Sequence, residues 1–318
     1  MNVPFIYKYK PENFSDFEIQ TEIIEILHTL ISMNNLNILF IGDSGCGKTA
    51  LISTLVKEYY GNTRNIHDNV LEINSLKEQG IQYYRTEVKT FCQTRCSIPS
   101  KKKIVILDDI DNINEQSQQV FRNCIDKYKN NVHFISSCSN IQKVIDSLQS
   151  RKIIIKLKLL HEDQFLKILN HICLKESITL ELNVDKFVIS LCNGSIRILL
   201  NYLEKFKIID QKITISLADN ICTNISFSIF DNYTNFIVNN DLHSAIDVLY
   251  NLYDKGYSVM DIYDNYLLYI KPCHLVNEIH KYEIIKLLCK YITIFHNIHE
   301  DEIELALFTN NLNQLLSK

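Results

Sequence analysis

The chain is 318 residues long, 46% hydrophobic and 22% charged, with a formal net charge of −4. That balance predicts a globular protein of two or three domains with substantial cores, and it excludes disordered, collagen-like and membrane-spanning classes. A net negative charge excludes a protein that holds nucleic acid by bulk charge, while leaving room for a basic patch on one face.

In chain order, the first half alternates short apolar runs with helical patterns, the signature of a parallel sheet flanked by helices. Ile38-Leu39-Phe40-Ile41 reads as a buried strand leading into a glycine-rich loop, and a helix follows from about Thr49 to Tyr60, with Gly61 as its C-cap. Val70-Leu71-Glu72-Ile73 is a second strand and Ile81 to Phe91 a second helix. Ile104-Val105-Ile106-Leu107 is a third strand that ends in acids; Glu115 to Tyr128 is helical, and Val132 to Ser136 and Ile153 to Leu157 are strands. Beyond about Leu159 the strands stop. His161 to Leu174, Val184 to Cys192 and Ser195 to Phe206 carry helical periodicity, as do Leu242 to Leu252, Met260 to Ile270 and Glu278 to His296. The expected organisation is an α/β domain over 1–158, a small helical domain over 159–221 and a second helical domain over 222–318.

No apolar run approaches the roughly 18 residues that cross a bilayer. The opening Met1-Asn2-Val3-Pro4-Phe5 lacks the features of a signal peptide, so the expected location is intracellular. The ten cysteines are scattered without zinc-finger spacing and are expected to fill cores. Lys101-Lys102-Lys103 reads as a solvated turn.

With only 7 glycines in the chain, three fall within six residues, at Gly42, Gly45 and Gly47. Gly42-Asp43-Ser44-Gly45-Cys46-Gly47-Lys48-Thr49 satisfies G-x-x-x-x-G-K-[ST], with Ala50 next in the helix. Bare glycine backbone lets successive N–H groups curl round phosphates, a lysine reaches the β- and γ-phosphates, and a threonine hydroxyl binds Mg²⁺. The helix that starts there adds its positive end. The motif therefore predicts ATP and Mg²⁺ as ligands. Ile106-Leu107-Asp108-Asp109-Ile110-Asp111 supplies the acids. Asp108 suits the metal, and Asp109 suits polarisation of an attacking water.

Taken with these motifs, several segments resemble the small subunits of replication factor C, the AAA+ clamp loaders that place ring-shaped sliding clamps on DNA. Pro4-Phe5-Ile6-Tyr7-Lys8-Tyr9-Lys10-Pro11 is similar to the family's P-W-x-E-K-Y-R-P, and Val70 to Ser75 with Gly80-Ile81 to its V-L-E-L-N-A-S…R-G-I. Gln118-Gln119-Val120-Phe121-Arg122 resembles the helix after the acidic strand, and Leu148-Gln149-Ser150-Arg151-Lys152 stands for I-Q-S-R-C. Gly194-Ser195-Ile196-Arg197 stands for G-D-M-R, and Lys255-Gly256-Tyr257-Ser258 resembles a G-Y-S of the collar. The resemblance implies a P-loop AAA+ domain, a helical lid and an all-α collar. It implies Tyr9 and Pro11 near the adenine, Arg151 as an arginine finger serving a neighbour, Arg197 as a γ-phosphate sensor, and Ser139 at the first sensor position. Its implied partners are other clamp-loader AAA+ subunits, a sliding clamp and primed double-stranded DNA, with no membrane, in the nucleus or at a cytoplasmic replication site.

Arg85 and Lys89 lie four apart and share one helix face, suited to phosphate contact or simply to solvent, with Lys77 near the same edge. Three departures from the family stand out. Asp109 replaces a glutamate and is one methylene shorter, Ser139 replaces an asparagine, and Lys152 replaces the cysteine after the finger. A general base must lie within about 2.6–3.2 Å of its proton, so the shorter acid favours ATP binding over hydrolysis. Two alternatives follow: an ATP-binding, weakly hydrolysing assembly subunit, or another AAA+ DNA-processing motor.

Overall fold

The structure, a computed structural model, describes residues 3–61, 66–74, 81–271, 273, 275–295 and 298–316. Ser75, Lys77, Gly80 and His296 lie outside the described residues. The chain divides into two compact units, Met1–Ala218 and Asp219–Lys318.

The first unit runs α1 (Phe5–Lys8), α2 (Thr21–Ser32), β1 (Ile38–Ile41), α3 (Lys48–Tyr60), β2 (Val70–Asn74), α4 (Ile81–Gln93), β3 (Lys103–Asp108), α5 (Glu115–Tyr128), β4 (Val132–Cys138), α6 (Asp146–Gln149) and β5 (Ile153–Lys156). The five strands form one parallel sheet in the order β2-β3-β4-β1-β5. Both faces are covered, which explains why the strands read as continuous apolar runs. Ile38, Phe40, Ile104, Ile106 and Ile135 share one core with Leu27, Leu51, Leu55 and Tyr59. Leu39, Val105, Leu107 and Phe134 share another with Tyr84, Val88, Phe121 and Ile125. Each such side chain contributes roughly 1.5–3 kcal/mol by leaving water. The order sets the carboxyl ends of β3, β4 and β1 side by side, the place where open parallel sheets bind ligands.

The strands outrun their apolar patterns. β3 begins at Lys103 and reaches Asp108, and β4 reaches Cys138, paired with Ile41. Pairing is a backbone property, so polar side chains at a strand end do not stop it. Helix α2 was not marked by the sequence pattern: Ile23, Leu27 and Leu30 are its buried face, but Ile24, Ile26 and Ile31 blur the period. The lysine run is also not a solvated turn. Lys101 Nζ lies 4.4 Å from the Tyr59 ring centre, Lys102 Nζ donates to two backbone carbonyls, and Lys103 is buried against Thr94 and Phe91. Aliphatic stems and aromatic faces absorb these lysines.

After the sheet come α7 (Glu162–Glu176), α8 (Val184–Leu191), α9 (Ile196–Ile209) and α10 (Ile215–Ile221), packed through Phe165, Leu169, Val188, Leu199, Leu203 and Phe206. The N-terminal segment is tied to these helices and to α3. Lys8 Nζ and Tyr9 Oη both donate to Glu176 at the end of α7, and the Phe5 N–H donates to Glu204 of α9. A few residues on, Thr54 of α3 donates to the Pro11 carbonyl at 3.0 Å.

The second unit contains α11 (Phe227–Val238), α12 (Leu242–Asp254), α13 (Val259–Ile270), α14 (Glu278–Phe295) and α15 (Ile303–Leu316). Its core is aromatic, built on Phe230, Tyr233, Tyr263, Tyr266 and Phe308, and the buried phenols are bonded: Tyr233 to Thr309, Tyr266 to Thr234, Tyr263 to the Glu304 carbonyl. Seven of the ten cysteines are buried and none forms a disulfide, as core-filling thiols should. Among the described residues no helix is long and apolar enough to cross a membrane.

Candidate nucleotide site

The phosphate loop connects β1 to α3. Gly45 and Gly47 have φ of +81° and +96°, a conformation that L side chains rarely adopt, and Gly47 sits at the N-cap of α3. A Cβ at Gly45 would lie 2.1 Å from Ser195 Oγ, so the loop passes directly against the start of α9. The Ile196 N–H donates to the Gly45 carbonyl at 3.1 Å. Lys48 is buried, and its Nζ donates to the carbonyls of Gly42 (2.7 Å) and Asp43 (3.1 Å) and to Ser139 Oγ (3.3 Å). Asp43 and Ser44 are exposed at the loop tip, and Ala50 is half-buried one residue into α3 beyond Thr49.

The acids at the end of β3 meet this loop. Thr49 Oγ1 donates to Asp108 Oδ2 at 2.9 Å. Asp108 Oδ1 accepts from Ser137, and the Ser137 oxygen in turn accepts the Asp109 N–H at 2.9 Å. Asp109 has φ +50°, in the left-handed region. Burial, and then the charge of Asp108, raise its carboxyl above the usual carboxylate value, while Lys48 and Arg197 oppose the shift. Asp111 Oδ2 accepts the N–H groups of Ser139 (3.1 Å) and Asn140 (2.9 Å), holding the turn after β4. A threonine hydroxyl beside a carboxylate is a hard oxygen donor set of the kind Mg²⁺ takes, so the residues fit the metal. The left-handed glycines and the inward Lys48 fit a nucleotide's phosphates equally well.

Thus Lys48, Thr49, Asp108, Asp109 and Ser139 come together at the carboxyl end of the sheet's central strands. Arg197, exposed in the first turn of α9, lies close enough for its charge to act on Asp109. Arg151 is not among them: its Nε donates to Asp126 at 2.7 Å and its Nη1 to the Ser147 carbonyl at 2.6 Å. Lys152 turns inward, donating to the Phe134 carbonyl and Ser136 Oγ of β4, and burial pulls its pKa down to about 7. Gln118 ties the end of β3 to the segment before α6, donating to the Ile113 and Lys143 carbonyls and accepting from the Ile145 N–H.

A cleft beside Cys46 is lined by Ile19, Ile23, Leu157, Leu160 and Gln164. Tyr9 and Pro11 are not in its lining; they serve the ties to Glu176 and Thr54. The sequence reading missed these lining residues, Ser137 and Asp111, although Leu157, an apolar residue directly after β5, was a usable signal. Arg85 and Lys89 are exposed on α4.

A model of the family described as ATPase family associated with various cellular activities (AAA) matches residues 38–158. The parallel sheet and the site at its carboxyl end thus belong to an AAA domain. The chain is 31% identical over 264 residues to the replication factor C small subunit of Methanococcus vannielii, covering 82% of this chain and 83% of that protein. It is 29% identical to replication factor C subunit 3 of Schizosaccharomyces pombe, covering 82% and 76%. To a putative replication factor C small subunit of Acanthamoeba polyphaga mimivirus it is 26% identical, covering 85% and 84%. The chain belongs to the replication factor C small subunit family. Among solved structures, the Thermotoga maritima RuvB Holliday junction branch migration motor superposes with a TM-score of 0.55 at 13% identity, over 82% of this chain and 90% of that one, a likeness of fold.

Proposed function

We propose that the chain is an ATP-binding subunit of a hetero-oligomeric clamp loader, which opens a sliding clamp and loads it on primed double-stranded DNA. The observation that carries this reading is the meeting of Lys48 and the Thr49–Asp108 pair at the carboxyl end of the sheet, with Arg151 held elsewhere on Asp126. Lys48 and the loop N–H groups hold the phosphates, and Thr49 and Asp108 hold Mg²⁺, which when bound offsets charge on the transferring phosphoryl group. Asp109 orients water, Ser139 donates to the phosphate, and Arg197 in the lid senses it. Arg151, remote from this chain's own loop, serves a neighbouring subunit's nucleotide. Residues 159–221 are the lid and 222–318 the collar through which subunits join. Arg85 and Lys89 track DNA phosphates weakly, so DNA affinity belongs to the whole ring and falls with salt.

The native mass and protein content of the complex that co-purifies with the chain test this directly. A hetero-pentamer of related ATPases that recovers a ring clamp when ATP is present supports the reading; a six-membered homo-oligomer with no clamp refutes it and favours a helicase-like motor. A second reading, a subunit that binds ATP but hydrolyses little, is favoured by the short acid at Asp109 in its left-handed backbone. Asp109→Glu in the assembled complex decides it. A turnover gain of about tenfold or more supports weak native hydrolysis, since an ångström of misplacement costs about 10²-fold; a loss supports full native activity.

A further inference from the structure

Ser137 lies in β4, fully buried, in a position to which no role attaches from the phosphate-loop motif or the acids. Its hydroxyl stands between two carboxylate-bearing residues. The Asp109 backbone nitrogen can only donate, so at 2.9 Å the serine oxygen must accept there. That leaves the hydroxyl hydrogen for Asp108 Oδ1, the partner it meets in a close contact. The direction of both bonds is therefore fixed. With Oδ1 engaged on the strand side, Oδ2 is the oxygen presented to Thr49, at 2.9 Å.

We propose that Ser137 is a positioning residue for Mg²⁺ binding: its hydroxyl locks the rotation of the Asp108 carboxylate, so that one oxygen faces Thr49, and anchors the Asp109 backbone. The inference rests on the nucleotide reading of this site. The terminal torsion of an aspartate is broad, so a carboxylate without such an anchor samples many orientations. Asp109 is non-glycine at φ +50°, a conformation that the surrounding contacts must hold. Its neighbour Ser136 alternates to the other face of the sheet, where its oxygen accepts from Lys152, and the Ser139 oxygen accepts from Lys48. Outer-shell partners that orient a metal-binding group are commonly worth as much as tenfold to a hundredfold in metal affinity.

The test uses the full chain and a fluorescent ATP analogue, with binding measured in EDTA and then across a MgCl₂ titration. Ser137→Ala removes the hydroxyl, and Ser137→Cys keeps the volume while donating only weakly. In both variants the Mg²⁺ concentration that gives half of the metal-dependent tightening should rise about tenfold or more, while affinity in EDTA stays within about twofold of the parent. A Mg²⁺ curve like the parent's overturns the assignment. So does an equal loss of binding in EDTA, or loss of the fold in both variants, because either would make Ser137 a packing residue. If the parent chain itself binds no nucleotide, or binds it without response to Mg²⁺, the nucleotide reading fails instead, and the two failures are separate.

Discussion

Acidification should loosen the first unit through a single imidazole. His133 is fully buried on β4. Its Nδ1 accepts the Leu36 N–H at 3.3 Å, so Nε2 carries the proton and lies 3.1 Å from Asn34 Oδ1, which also accepts the Tyr59 hydroxyl at 2.6 Å. A second proton would set one N–H against another. Burial first, and then the charge of Lys102, pull the pKa of His133 down to about 3, against about 6.5 for an unperturbed histidine. A base with a depressed folded-state pKa contributes stability above the unfolded value and loses it as pH falls through that value. The loss here begins near pH 6.5 and continues down to about pH 3, at about 1.4 kcal/mol per pH unit. By about pH 5 it amounts to roughly 2 kcal/mol. Urea unfolding followed by circular dichroism at about pH 7.5, 6 and 5 measures it. The comparison is His133→Asn, which keeps an acceptor for Leu36 but does not titrate. The parent should lose about 2 kcal/mol relative to the variant across that range. Parallel pH curves for the two proteins would refute the assignment of a neutral, bonded imidazole.

Two further outcomes follow from the site. Gly45→Ala places a Cβ 2.1 Å from Ser195 Oγ at a φ of +81°, and should cost roughly 2–4 kcal/mol in urea unfolding, combining left-handed strain with overpacking. Adding Ser195→Ala removes the oxygen and should recover about half of that loss, the overpacking share; no recovery would mean that the loop and α9 are not in contact. In a reconstituted complex, Arg151→Ala should lower hydrolysis at the site it serves by about 10³-fold or more, the scale of an arginine finger. The variant chain's own affinity for the fluorescent analogue should not change, and an equal drop in it would place Arg151 at its own nucleotide.

The phosphate loop was legible in the sequence because its chemistry is local: glycines, Lys48 and Thr49 are adjacent, and β1 and α3 flank them. Asp108 was legible for a related reason, as an acid ending an apolar strand. What escaped depends on register between strands distant in the chain. Ser137 meets Asp108 and Asp109 only because β3 and β4 are neighbours, with Leu107 level with Ser136. The Asp111 hold on the turn after β4 has the same origin. The cleft beside Cys46 gathers the segment before α2, the loop and the end of the sheet, a convergence that no periodicity announces. Lys101 to Lys103 were misread because charge suggests solvent, whereas a long aliphatic stem beside Tyr59 and Phe91 can lie on an aromatic surface.

The ties of the N-terminal segment make it a mechanical linkage. One end is fastened to α7 and α9 through Glu176 and Glu204, and the other to α3 through Thr54. The span between the Tyr9 and Pro11 fastenings is too short to hold slack, since an extended residue covers only about 3.5 Å. Moving α7 and α9 away from the phosphate loop would break the Glu176 contacts or tug on the helix that begins with Lys48. The segment is a tether in parallel with the Gly45–Ile196 hydrogen bond, so the position of α7 and α9 and the geometry of the loop are two ends of one lever.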